Sequence, residues 1–212
     1  VLDMFIKEAK MKDKRYERAL HYEYFTVGYN ILEAIASIIA GGMANSIALI
    51  GFGLDSVVES LSGLVLIWRL RRQDTISEEE EEEIEERASR FVGITFFVLG
   101  AYVLIESIRK IVLRDIADPS VIGIAIAVLS LVIMPVIAYA KYNLGRELGL
   151  KSLIADSKET LVCSILSLAL LIGLLSRYLF DFWLADPIVG LIVVIFLFKE
   201  GYELVFEEEE DD

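Results

Sequence analysis

The sequence predicts an all-α integral membrane protein built as a bundle of six transmembrane helices, and three observations carry that prediction. Hydrophobic residues make up 56% of the 212-residue chain, and its mean hydropathy of +0.58 is too high for an ordinary soluble domain. The apolar residues fall into six long runs of roughly 16–23 residues, adequate for a hydrocarbon core of about 30 Å. The net charge of −13 comes almost wholly from two acidic tracts. Glu78–Glu83, Glu85–Glu86 and Glu207–Asp212 hold 14 acids, and the remaining 19 acids face 20 Lys and Arg. Acidity so confined disfavours a nucleic-acid partner. A single cysteine excludes an intramolecular disulfide.

Residues 1–24 mix Met4, Phe5, Ile6, Tyr16 and Leu20 with Lys7, Lys10, Lys12, Lys14, Arg15 and Arg18, which reads either as a basic amphipathic helix suited to a membrane surface or as an ordinary solvated helix leading into the first span. No cleavable signal pattern precedes the first span, and Val1 in place of Met points to a trimmed or partial N-terminus. The transmembrane domain covers residues 25–206. Span one is Phe25–Ala40, and the short uncharged turn Gly41–Ser46 makes span two, Ile47–Trp68, its antiparallel neighbour. Arg69, Arg71 and Arg72 halt span two. Ser77 with Glu80 has capping-box spacing, so residues 77–90 read as a charged, solvated extension of span three, Phe91–Ile108. Asp118–Pro119 turns the chain into span four, Val121–Ala140, in which Pro135 implies a kink. Lys141, Arg146 and Lys151 are assigned to the loop that follows. Span five is Leu153–Leu175, and span six runs from Asp186–Pro187 to about Phe206, ahead of the acidic tail 207–212. Six spans place both termini on one face, which carries 12 Lys and Arg against 4 on the other, so both termini are expected in the cytoplasm.

The middle of span two holds Asp55 and Glu59, spaced i, i+4 and so on one helix face. An ionised carboxylate at bilayer depth costs several kcal/mol unless a cation meets it. Span five repeats the arrangement with Glu159 and Cys163, Asp156 lying one turn earlier. Two helices that each offer an acid–acid or acid–thiol pair at this spacing close a four-ligand metal site. Only Lys158 falls near the right depth as a protein cation, and one lysine does not neutralise four acids. Asn30, Glu33, Asp156 and Lys158 are read as supporting or gating positions around the site. Asn30, Ser56, Ser60 and Ser62 are read more plainly as interhelical hydrogen-bonding groups, and Gly51, Gly53 and Gly63 as points of close helix approach. Enzyme chemistry is not expected: the chain has no glycine-rich phosphate loop, no nucleophile–His–acid set, and one histidine, His21.

The segments SIALIGFGLDSVVESLSGL, LIADSKETLVCSILSL and LADPIVGLIVVIFLFKEGYELV resemble the cation diffusion facilitator (cation efflux) family. The resemblance implies six spans, a homodimer, and exchange of a divalent metal for protons. It places the transported ion on Asp55 and Glu59 of span two and on Glu159 and Cys163 of span five. Members commonly carry His then Asp in the span-five pair, where this chain has Glu and Cys. The expectation is a branch lacking the C-terminal cytoplasmic domain that often follows span six.

Three carboxylates and a thiolate suit a tetrahedral borderline ion, so Zn²⁺ is the first expectation, with Mn²⁺, Fe²⁺, Co²⁺ and Cd²⁺ as alternatives. The expected protein is a homodimeric efflux transporter in the lipid bilayer (the cell membrane in a prokaryote) that moves a divalent metal against protons. The other class is a non-transporting membrane scaffold whose acids are structural or hold a regulatory ion.

Overall fold

In a computed structural model the backbone is described for residues 2–72 and 78–207, and side chains for 14–72, 90, 93–150, 152–203 and 205–206. Six helices account for the described chain, and no strand occurs among the described residues. They are α1 (Leu2–Met43), α2 (Ile47–Arg72), α3 (Glu78–Leu113), α4 (Val121–Leu148), α5 (Lys151–Phe180) and α6 (Ala185–Tyr202), the last continuing into a π-helical turn at Glu203–Glu207. Helices α1, α2, α4 and α5 are each long and apolar enough to cross a membrane. Helix α6 is shorter and carries Asp186 at one end and Lys199 and Glu200 at the other. The apolar part of α3 ends at Glu106, Arg109 and Lys110.

The helices pack chiefly as three pairs, α1 with α2, α4 with α5, and α3 with α6, and α2 also touches α3, α5 and α6. The core lies where these pairs meet. Leu49, Phe52 and Val58 of α2 pack with Cys163, Leu166 and Leu170 of α5 and with Val193 and Leu197 of α6. Gly53 lets α2 approach α1, because a Cβ there would stand 2.9 Å from side-chain atoms of Ser37 and Ile38. Outward faces are apolar: Leu32, Ile35, Val98, Ile105, Leu129, Val132, Val136, Ile165 and Ile172 are all exposed in the isolated chain. Apolar outer faces of this kind suit a lipid environment, and the protein is an integral multi-pass membrane protein.

Two departures from the sequence reading concern helix limits. Helix α1 runs unbroken from Leu2 to Met43, so the amphipathic segment and span one are one helix. Helix α4 continues through Pro135 to Leu148, where Gly149 caps it at a φ of 72°. Lys141 and Arg146 therefore belong to a helix and not to the α4–α5 loop. The reason is local: Tyr142, Leu144 and Leu148 continue the apolar periodicity, and Leu144 packs with Leu66, Leu70 and Leu153. The expected cap at Ser77 and the tail beyond Glu207 lie outside the described residues, as do the basic side chains before Lys14.

The α1–α2, α3–α4 and α5–α6 connections meet on one face and are stitched together there. Asp118 N–H donates to the Ala44 carbonyl at 2.8 Å, Asn45 donates to Asp115 at 2.7 Å, and Arg177 donates to the Ala117 carbonyl at 2.7 Å. Asp186 at the start of α6 accepts from Ser46 Oγ at 2.5 Å, Ile47 N–H at 3.0 Å and Ala48 N–H at 3.3 Å. One α6 carboxylate thus caps the free amides that open α2 and fixes the two helices in register.

Candidate metal site

Asp55, Glu59, Glu159 and Cys163 line one cavity between α2 and α5, together with Phe96, Val162 and Glu200. Its volume is about 20 Å³, room for one water or one small ion. Asp55 and Glu59 are buried, Cys163 is 1% exposed, and Glu159 is half-buried. Both carboxylate oxygens of Glu59 are buried without a hydrogen-bond partner. Thr160 and Cys163 of α5 face that carboxylate but do not complete a hydrogen bond to it. An acceptor-only group left this way inside a bundle is costly unless a proton or cation meets it. Glu159 accepts one hydrogen bond, from Ser62 of α2 at 3.0 Å. Among the described residues, no three His, Cys, Asp or Glu side chains stand close enough to hold one ion.

The supporting positions fall in different places. Glu33 of α1 accepts from Ser56 at 3.0 Å and from Tyr29 at 3.2 Å, so it is held against the α2 face next to the site. Asn30 is fully buried, but neither its oxygen nor its nitrogen has a hydrogen-bond partner. It does not supply the interhelical hydrogen bond its position suggested. Ser56 and Ser62 do bridge helices, whereas Ser60 donates to the Ser56 carbonyl within α2. Lys158 is exposed and pairs with none of the buried acids.

The buried cation beside these acids is Lys141. Its Nζ lies 2.5 Å from Asp156 Oδ2 and 3.0 Å from Glu23 Oε2, and Lys141 and Glu23 are completely buried. Asp156 is thereby drawn out of the cavity and into a Glu23–Lys141–Asp156 cluster joining α1, α4 and α5. A hydropathy reading misses this because Lys141 sits where the apolar run of α4 gives way to Lys, Asn, Arg and Glu. The available signal is helical spacing: Lys141 follows Met134, Ile137 and Ala138 on the buried face of α4. Lys141 also acts electrostatically on Glu59, so the cluster adjoins the acids of the cavity.

Residues 25–208 match the cation efflux transmembrane domain. The chain is 22% identical over 192 residues to transmembrane protein 163 of Xenopus laevis, covering 90% of this chain and 67% of that protein. It is 24% identical over 179 residues to an uncharacterized transporter of Methanocaldococcus jannaschii, covering 82% of this chain and 63% of the relative. It is 23% identical over 185 residues to magnetosome protein MamB of a Magnetospira species, covering 85% and 61%. The chain thus spans about two thirds of the length of these relatives. Its bundle of helices and the match along nearly all of it establish that the chain belongs to the cation efflux family.

Proposed function

We propose that this protein carries a divalent transition-metal ion across the membrane, ligated by Asp55, Glu59, Glu159 and Cys163 and exchanged for protons. The observation that carries the reading is the cavity itself: α2 and α5 each present two ligand-type side chains to one space the size of an ion. The unpartnered Glu59 carboxylate supports it, since a cation there removes the cost of burying it. Membership of a cation efflux family and the name of the archaeal relative, a transporter, point the same way.

Mechanistically, carboxylic acids and a thiol release protons when they take up a metal and regain them when it leaves. One set of groups then serves both ions, which yields exchange without a separate proton site. The four side chains are not gathered for ligation in this structure, so binding draws α2 and α5 together around the ion. Alternating access then follows as the helices rock about that site. Oxygen-rich ligation with one thiolate favours Zn²⁺ first, then Cd²⁺ and Co²⁺, over Mn²⁺. The working unit is a homodimer.

Metal flux is the test. Purified protein reconstituted in liposomes should take up Zn²⁺ down an imposed gradient and move protons the other way. A protein that binds Zn²⁺ yet produces no flux in either direction is a scaffold with a regulatory ion, and the transport reading fails.

A further inference from the structure

The cavity has a fourth carboxylate, Glu200, which comes from α6 and not from α2 or α5. Its depth follows from the bond between Asp186 and Ile47, which sets the starts of α6 and α2 level. At 1.5 Å per residue along both helices, Asp55 lies roughly 12 Å from that level, Glu59 roughly 18 Å, and Glu200 roughly 21 Å. Ser62, the hydrogen-bond partner of Glu159, lies at roughly 22 Å. Glu200 and Glu159 are therefore level, at the end of the cavity nearer the α4–α5 connection, and Asp55 is at the far end.

Packing holds Glu200 there. The adjacent Gly201 presses α6 onto α3, where a Cβ would meet the Gly93 carbonyl at 3.0 Å and Phe96 at 3.1 Å. Phe96 also lines the cavity, so the contact that seats α6 aims its neighbouring carboxylate into the site. The Glu200 side chain is 12% exposed and only loosely paired with Lys199, at 3.8 Å, whereas Lys199 meets Glu203 at 2.5 Å. Glu200 acts electrostatically on both Asp55 and Glu159. A second feature points to a ligand in this space: Glu59, 6% exposed and with both oxygens unpartnered, faces the same cavity.

We propose that Glu200 is a metal-binding residue, a carboxylate that receives a divalent cation at the α4–α5 end of the cavity. It shares the ion with Glu159 before the ion reaches Glu59, Cys163 and Asp55. The inference rests on the metal-site reading above and extends it to a third helix. A rim acid supplies an oxygen ligand as the ion enters, and its charge still attracts the ion once the ion sits deeper in the same cavity. Its loss weakens capture more than turnover.

The test titrates Zn²⁺ into the full chain in detergent by calorimetry and measures Zn²⁺ flux in liposomes. It compares wild type with Glu200→Gln and with Glu203→Gln, an acid close by that does not line the cavity. Glu200→Gln should weaken Zn²⁺ binding about tenfold or more and raise the half-saturating concentration for flux, with the maximal rate within about twofold. Glu203→Gln should match wild type. Wild-type affinity in Glu200→Gln overturns the inference, and so does an equal loss in both variants, which would mark a general surface-charge effect. A lowered unfolding temperature with unchanged affinity makes Glu200 a packing residue only. If binding shifts as expected but wild type shows no flux, the transport reading fails and the role of Glu200 in binding stands. If wild type binds no Zn²⁺, both fall.

Discussion

Lys141→Met tests the buried cluster that the bundle is built over. The substitution keeps a long unbranched side chain of similar volume, so it removes the ammonium without opening a large cavity. In the native protein one ammonium faces two carboxylates, at 2.5 Å and 3.0 Å, with Lys141 and Glu23 fully buried. The Glu23 Oε1 atom already lacks a partner. Removing the shared cation orphans both acids, and breaking a buried pair from one side costs about 3–5 kcal/mol. For a chain of this length that corresponds to a fall in unfolding temperature of about 10 °C. Glu23→Gln added to Lys141→Met removes one of the two orphaned charges and should recover part of the loss. The assay is thermal unfolding in detergent, followed by the fluorescence of Trp68 and Trp183. Lys141→Met unfolding at the wild-type temperature would refute the argument. So would a double variant that shows no recovery, since the cost would then not come from uncompensated charge.

Other consequences are open to direct measurement. Asp186→Ala removes three acceptor contacts from the start of α2 and should cost about 1–2 kcal/mol; amide exchange at Ile47 and Ala48 should speed up, and unchanged exchange would contradict the capping role. Cys163→Ser replaces a soft sulfur in the cavity by a hard oxygen and should weaken Zn²⁺ and Cd²⁺ about tenfold more than Mn²⁺ in competition assays. An unchanged order of metals would make Cys163 a packing residue. Light scattering of the detergent-solubilised protein should give two chains, and a stable monomer that still transports Zn²⁺ would contradict the dimer.

Much of the fold was legible because a membrane simplifies the signal: long apolar runs bounded by charge have one regular solution, the helix. The cavity-lining residues were legible for the converse reason, since Asp55, Glu59 and Glu159 interrupt such runs at helical spacing. Glu200 was not, because Lys199 and Glu203 beside it make it look like the charged end of a span. Lys141 was hidden in the same way, and its burial depends on partners 118 and 15 residues away in sequence. Asp186 read as a helix start, but the amides it caps belong to α2, 139 and 138 residues earlier. In all three cases the role of the charge is set by a neighbouring helix and not by its own.

The central claim is that α2 and α5 together bind the metal, and Zn²⁺ calorimetry on Asp55→Ala and Glu159→Ala, each measured beside wild type, tests it most directly. The two residues lie on different helices at opposite ends of one cavity, so a shared ion links their fates. Each substitution alone should abolish most Zn²⁺ binding while the protein remains folded and keeps its wild-type elution volume. Wild-type Zn²⁺ affinity in both variants would contradict the claim, leaving Asp55 and Glu159 as buried acids with no part in holding the ion.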